Sequence, residues 1–361
     1  MASQQTFARG ALGANYNENL TWIDHRELSR VGARWIRGFI DMHQIDSLQP
    51  EQDSNIKALF QVMEAGFNTI LSLKWAYADR DFPAVGSPEH TDELECLNCL
   101  LEIVMGKVDI LVIGNEPFIE TKQTGEQLNV FYETVADAVI DFRKAHNDLR
   151  TPTQLYMGAL NRLDLPAKRT PAIVRMLGFI ASRPELDGVD LHLHMPTLAG
   201  HRAMLNYALS QIRPDQRFLA TEFSMIWHWK KHMNDAASTD FCKQYGFPPG
   251  TKVCEVISTT IQKPVPYAQW EDFLKHEPWY LECKSFMGET IRLYRATERL
   301  EVATYSCCPM RNRKAPILAS DTPWMLNGLF APSTVQLEQD GSRHENFPWA
   351  EEFRRLQRSE Q

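Results

Sequence analysis

Short apolar runs alternate with amphipathic stretches along nearly the whole of this 361-residue chain, and that alternation constrains the fold more than any other feature. Parallel strands covered on both faces read as continuous apolar runs. Such runs separated by helical patterns indicate βα units and a parallel sheet. The strand candidates are 7–14, 32–39, 68–73, 108–114, 154–160, 188–193, 217–220 and 302–306. Between them, Asp24 is placed to cap a short helix carrying Leu28 and Val31. Ile56, Leu59, Phe60 and Met63 recur at helical spacing before Gly66. Helices are also predicted over 92–105, 127–146, 171–182, 201–212 and 281–300, with Pro171 in a first turn, where proline is tolerated. Eight strands with their crossovers predict an α/β protein: a (β/α)₈ TIM barrel forming a single domain over 1–361. Such a barrel takes about 250 residues, so the chain has room for additions. Residues 227–278, rich in Lys, Pro and aromatics, are predicted to be a long inserted loop after strand seven, overhanging the active-site face. The polar tail from Leu329 is predicted to pack as a strap and a helix against the barrel.

Composition removes several functional classes. A net charge of −8 argues against a nucleic-acid partner, which would need a basic footprint. No run approaches the ~20 apolar residues of a membrane span. Residues 1–6 carry no secretory signal, so the expected location is cytoplasmic, or secreted where a native leader has been removed. Seven cysteines rule out a complete disulfide framework. Cys96 and Cys99 form one CxxC without a second pair at zinc spacing, and read as packed thiols. Of the adjacent Cys307 and Cys308, at least one is expected to line the barrel, and neither reads as a nucleophile. No metal and no cofactor are expected, and the oligomeric state is not legible.

Two carboxylates stand out. Glu116 closes the run Leu111-Val112-Ile113-Gly114-Asn115-Glu116, and Glu222 closes Arg217-Phe218-Leu219-Ala220-Thr221-Glu222. Side chains at the C-terminal ends of barrel strands point into the active site. A pair of carboxylates delivered there is the minimum equipment for acid/base cleavage of a glycosidic bond. Glu116 alone, between Asn and Pro, reads better as a turn residue; the partner at strand seven tips the reading to catalysis. Arg37, if it points inward, would hold Glu222 ionised. His192 and His194, two apart on one strand, face the same way and are candidates to orient the acids or bind hydroxyls. Trp75, Tyr77, Trp227, Trp229 and Trp324 lie at strand outlets or in the loops beyond, as expected of platforms for the apolar faces of sugars. Trp227 and Trp229 read equally well as packing residues.

Gly-Asn-Glu-Pro at 114–117, with a Glu closing strand seven, resembles the clan of retaining glycoside hydrolases built on (β/α)₈ barrels, which includes β-glucanases, β-mannanases, xylanases and β-galactosidases. Gly32-Ala33-Arg34-Trp35-Ile36-Arg37 is similar to that clan's approach to strand two, and Val189 to His194 to its strand-six run. The resemblance covers roughly residues 7–330 as scattered motifs. It implies Glu116 as acid/base, Glu222 as nucleophile, Asn115 as the partner of the sugar 2-hydroxyl, and a β-linked oligo- or polysaccharide as substrate. Two departures bear on the sugar. Strand eight offers Tyr305 instead of the usual tryptophan, for which Trp324 is a substitute from the next loop. His194 replaces the strand-six tyrosine. Two other readings stay open: a metal-dependent barrel enzyme using His192, His194, Glu116, Glu222 and Asp41, and a non-catalytic glycan-binding barrel.

Overall fold

The computed structural model describes residues 9–17, 19–45, 49–146, 153–309 and 314–358. Eight parallel strands close in sequence order into a barrel: β1 (Ala11–Tyr16), β2 (Trp35–Asp41), β3 (Asn68–Lys74), β4 (Ile110–Ile113), β5 (Gln154–Asn161), β6 (Gly188–His194), β7 (Arg217–Ser224) and β8 (Leu300–Ser306). Helices α1 (His25–Val31), α2 (Ser54–Glu64), α3 (Pro88–Val104), α4 (Glu126–Ala145), α5 (Pro171–Ser182) and α6 (Leu198–Gln211) fill the first six crossovers. The barrel expected from the apolar alternation is the barrel observed.

Local chemistry sets the boundaries. Asp24 caps α1 by accepting from the Arg26 N–H, and Gly32 ends it in the left-handed region. Ser87 caps α3 and Pro88 occupies its first turn, so that helix begins four residues before the expected Asp92. The first strand starts later than expected and runs two residues beyond the expected end at 14, through Asn15 and Tyr16; residues 7 and 8 of the expected strand lie outside the described residues.

The segment 227–278 is not a loop. It contains α7 (Ile226–His232), α8 (Thr239–Tyr245), α9 (Val253–Gln262), α10 (Tyr267–His276) and the start of α11 (Pro278–Leu281). Its aromatics, which suggested a lid, are the core of this helical insertion: Trp229, Phe241, Trp270 and Phe273 are all buried. Two of its prolines start helices instead of breaking them, Pro266 as N-cap of α10 and Pro278 in the first turn of α11. The expected helix over 281–300 is shorter, α12 (Phe286–Arg295), because the chain turns at Glu298 (φ 58°) and Leu300 already belongs to β8. The tail packs as expected of a strap and helix. In α13 (Trp349–Arg358), the Trp349 indole N–H donates to the Leu326 carbonyl at 2.8 Å, and Glu352 accepts from the Gly288 N–H at 3.0 Å.

Ala11, Trp35, Ile70, Ile110, Val112, Tyr156, Leu219 and Val302 form an inner cluster, separate from the larger apolar shell between sheet and helices. They fill the barrel below the site, so the interior is packed rather than open. Above this layer two glycines let the strands close. A Cβ on Gly114 (φ 107°) would lie 2.1 Å from the Gly158 carbonyl oxygen, and one on Gly158 would lie 2.4 Å from that of Asp190. Gly114→Ala combines left-handed strain with backbone overlap. It is expected to destabilise the fold by roughly 3 kcal/mol or more, read as a lower denaturation midpoint in urea.

Two register shifts matter for the site. Between Asp190 and His192, β6 advances two residues while β7 advances three, from Leu219 to Glu222. The extra residue in β7 re-aims its outlet, as bulges do: Thr221 meets Asp190 while the next residue, Glu222, meets Arg37. A matching shift in β5, between Met157 and Leu160, sets Asn161 opposite His192.

Candidate active site

The C-terminal mouth of the barrel collects the polar side chains that the strands carry at their ends. Glu116 follows β4 with φ 49°, a left-handed conformation that is strained for a residue with a side chain and is characteristic of functional positions. Its Oε1 lies 2.9 Å from His192 Nδ1 and accepts from Asn161 Nδ2 at 3.0 Å. Glu222 Oε1 accepts from Arg37 Nη1 at 3.0 Å and lies 3.7 Å from His192 Nε2. Its Oε2 lies 3.4 Å from His194 Nε2. The two carboxylates therefore flank one imidazole. Both keep some access to solvent, 22% for the Glu116 side chain and 12% for that of Glu222.

Arg37 is the hub beneath them. Its side chain is 0% exposed. Nε donates to Ser72 Oγ at 3.1 Å, Nη1 to Asn15 Oδ1 at 3.2 Å as well as to Glu222, and Nη2 to Asn115 Oδ1. Arg37 points inward and meets Glu222; being fully buried, it is a hydrogen-bonded support and not a sugar contact. Asn115 is also buried; its Nδ2 lies 3.5 Å from Glu120 Oε1, at the limit of a hydrogen bond.

The electrostatics separate the two acids. Burial opposes ionisation of Glu222, but the charge of His192, a hydrogen bond from His194 and the charge of Arg37 outweigh it. They hold the carboxyl far below the ordinary carboxylate range. Burial also opposes ionisation of Glu116, while His192 favours it and the Glu222 charge resists it, leaving a smaller downward shift. Burial would lower His192, yet Glu222 and Glu116 together raise it above the usual imidazole value.

A cavity of about 220 Å³ opens beside Glu222, with Asn15, Asn17, Trp22, His194 and Trp324 among its lining residues. The Trp324 ring meets His194 edge-on at 4.9 Å between centroids. Trp324 therefore lies in the site, as its place after strand eight predicted. Cys308 borders the same cavity, while Cys307 is fully buried. Cys96 is a packed thiol, pushed up to about 11 by burial, but Cys99 is exposed and not packed as expected, because it falls on the outer face of α3.

Other expected sugar contacts are corrected. Trp75 is 0% exposed; it donates to Glu93 Oε2 at 3.1 Å and packs edge-on against Phe131 and Tyr132. Tyr77 is buried in the same aromatic cluster and bonds Glu93. Tyr305 is buried against Phe223 and Trp349, on the helix side of β8, because its neighbour Ser306 takes the cavity-facing position. Trp227 is partly exposed, flanked by the Arg162 guanidinium at 5.8 Å and the Lys230 ammonium at 5.4 Å, and does not line the cavity beside Glu222. Trp229 is core. Asp41 bonds the His43 N–H and the Gln44 amide in a local turn, away from the two acids. Ligand atoms of Glu116, His192 and His194 do fall within 4.8 Å of one another. Both His192 nitrogens are nevertheless already in hydrogen bonds, to Glu116 and to Thr221 Oγ1 at 3.1 Å, so the cluster is a hydrogen-bonded network.

Asn161, Asp190 and Thr221 were not singled out from the sequence. Asn161 carries a signal that was there to read: a polar residue closing the run Leu155 to Leu160, the rule that found Glu116.

No protein-family model and no curated protein sequence matches this chain. Solved structures do. A GH10 protein from Paenibacillus barcinonensis superposes with a TM-score of 0.52 at 12% identity, over 96% of this chain and 94% of that one. An endo-1,4-beta-xylanase from Caldicellulosiruptor owensensis gives 0.50 at 12% identity, over 95% and 96%. The chain shares their barrel fold. Gas2p of Saccharomyces cerevisiae, solved with laminaritetraose and laminaripentaose, gives 0.49 at 10% identity over 97% of this chain, which spans 63% of that longer protein.

Proposed function

We propose that this protein is a retaining β-glycoside hydrolase acting on a β-linked oligo- or polysaccharide, with Glu222 as nucleophile and Glu116 as acid/base. The observation that carries the reading is the pair of glutamates at the outlets of β4 and β7, flanking one imidazole, with one of them ion-paired to a buried arginine. Fold likeness to a xylanase supports the same class, as an analogy of scaffold.

The roles follow from the environments. A nucleophile must be a carboxylate when substrate arrives, and His192, His194 and Arg37 favour that form of Glu222. Its oxygen attacks the anomeric carbon, forming a glycosyl ester as the leaving oxygen takes a proton from the Glu116 side. Water then attacks the ester while Glu116 accepts its proton, and the sugar leaves with its original anomeric configuration. Trp324 and Trp22 offer aromatic faces, and Asn17 an amide, to the sugar held beside Glu222.

The test is a panel of polysaccharides and nitrophenyl glycosides, with the anomer of the first product followed by proton NMR. Retention is expected; an inverted product, or no cleavage by the intact chain, sinks the proposal. Glu116→Gln is expected to slow natural substrates by roughly 10²–10⁴-fold, the usual contribution of a positioned acid. Activated nitrophenyl glycosides should lose much less, because their leaving group needs no proton. Equal losses on both would remove Glu116 from the acid role.

A further inference from the structure

His192 does not stand alone against Glu116. On its other side Nε2 lies 3.1 Å from Thr221 Oγ1, and the Thr221 hydroxyl donates to Asp190 Oδ2 at 2.6 Å. Asp190 Oδ1 accepts from the Thr221 backbone N–H at 3.2 Å. Asp190, Thr221 and His192 are all 0% exposed. A hydroxyl has one proton and two lone pairs. With its proton committed to Asp190, Thr221 can only accept from His192, so Nε2 carries a hydrogen. Nδ1 then faces Glu116, and the hydrogen bond between them needs a proton from one partner or the other.

We propose that Glu116 and His192 hold the catalytic proton between them, and that Thr221 and Asp190 are positioning residues that confine it to the Nδ1 side of the ring. The inference rests on the proposed hydrolase reading for its catalytic meaning, but the location of the proton stands independently of it. Before cleavage the pair carries one proton, on Nδ1 or on Oε1. During cleavage it passes through Oε1 to the leaving oxygen, leaving a Glu116 carboxylate and a neutral, Nε2-protonated His192. When water attacks the ester, its proton returns to the pair and the starting state is restored. Asn161 holds the same Oε1 from the other side and fixes the direction in which it points.

The charges around the pair come from several strands. Glu222 and Arg37 lie on the Nε2 side, His194 follows on the same strand, and Glu120 with its partner Lys74 stands beyond Glu116. His192 is raised and Glu116 lowered within this set, as expected of two groups sharing a proton. Burial pushes the Asp190 carboxyl upward, which defines the opposing arrangement. If Asp190 held a proton and donated to Thr221, the hydroxyl would donate to Nε2, and that nitrogen would be bare.

Nitrogen-15 NMR of the histidine-labelled full chain separates the two, with His192→Gln assigning the signal. On raising the pH, Nδ1 is expected to move to the unprotonated range while Nε2 keeps its proton; a bare Nε2 overturns the proposal. This readout needs no substrate, so it holds or fails apart from the hydrolase reading. With a cleaved substrate, Thr221→Val removes the acceptor that stabilises the charged ring. The alkaline limb of kcat/KM is expected to move to lower pH by roughly one unit, with Thr221→Ser restoring it. An unchanged limb in a folded Thr221→Val protein also overturns the proposal.

Discussion

Replacing Glu222 by alanine is expected to abolish turnover in protein that still folds. Loss of a covalent nucleophile in other enzymes lowers kcat by about 10⁶-fold, and a fall of at least about 10⁴-fold is expected here on every substrate, activated or not. That breadth distinguishes it from Glu116→Gln, whose deficit depends on the leaving group. Removing the carboxylate leaves the buried Arg37 guanidinium without its charged partner, so stability is expected to fall by up to about 3–5 kcal/mol, and folding of the variant is checked by urea denaturation. Arg37 loses one acceptor but keeps Ser72, Asn15 and Asn115. A mechanism-based fluoroglycoside should esterify Glu222 in the unaltered protein and leave the alanine variant unlabelled, which intact mass and peptide mapping would read. Label on another residue, or kcat within tenfold of the parent, would remove Glu222 from the nucleophile role and with it the retaining mechanism.

Arg37→Met is expected to damage both stability and chemistry. Removing one partner of a buried ion pair typically costs about 3–5 kcal/mol, because the remaining charge is left without compensation. Glu222 retains its neighbours His192 and His194 and some solvent, so the loss should fall near the lower end. Its sign with pH is set by linkage. The folded Glu222 carboxyl titrates below its unfolded value of about 4.3, so its contribution is complete above that pH and fades as pH falls toward the folded value. The stability gap between parent and variant should therefore be widest near neutrality and narrow in acid, measured by urea denaturation from pH 3 to 7. In activity, the acid limb of kcat/KM should move to higher pH, since Glu222 would protonate more readily. A variant with parental stability at neutral pH and an unmoved acid limb would show that Arg37 does not hold the nucleophile ionised.

The catalytic candidates were legible because they obey a simple rule. A polar side chain that closes an apolar run must lie where the strand leaves the core, and in a closed parallel barrel all such ends meet at one face. Glu116 and Glu222 follow it, whereas His192 lies inside β6 and was found by its two-residue spacing from His194. The aromatic platforms do not, because strand parity decides them. Trp75 follows Lys74, which pairs with Glu120 at the mouth, and so turns outward into the α3–α4 shell. Tyr305 precedes cavity-facing Ser306 and turns outward as well. The same aromatic composition that suggested a long loop over the active-site face in 227–278 instead packs a helical insertion, since apolar rings bury as readily in a helix core as against a ligand.

The sequence by itself determined the barrel and placed Glu116 and Glu222 at strand ends, since hydrophobic periodicity and strand-end polarity are local properties of a chain. Only the tertiary structure decided that Arg37 is a buried support, that Trp324 and not Trp75 borders the cavity, and that Thr221 and Glu222 both serve the mouth. The physical reason for the last is one extra residue in β7 relative to β6. That shift arises from how two strands hydrogen-bond to each other, and no single strand carries a record of it.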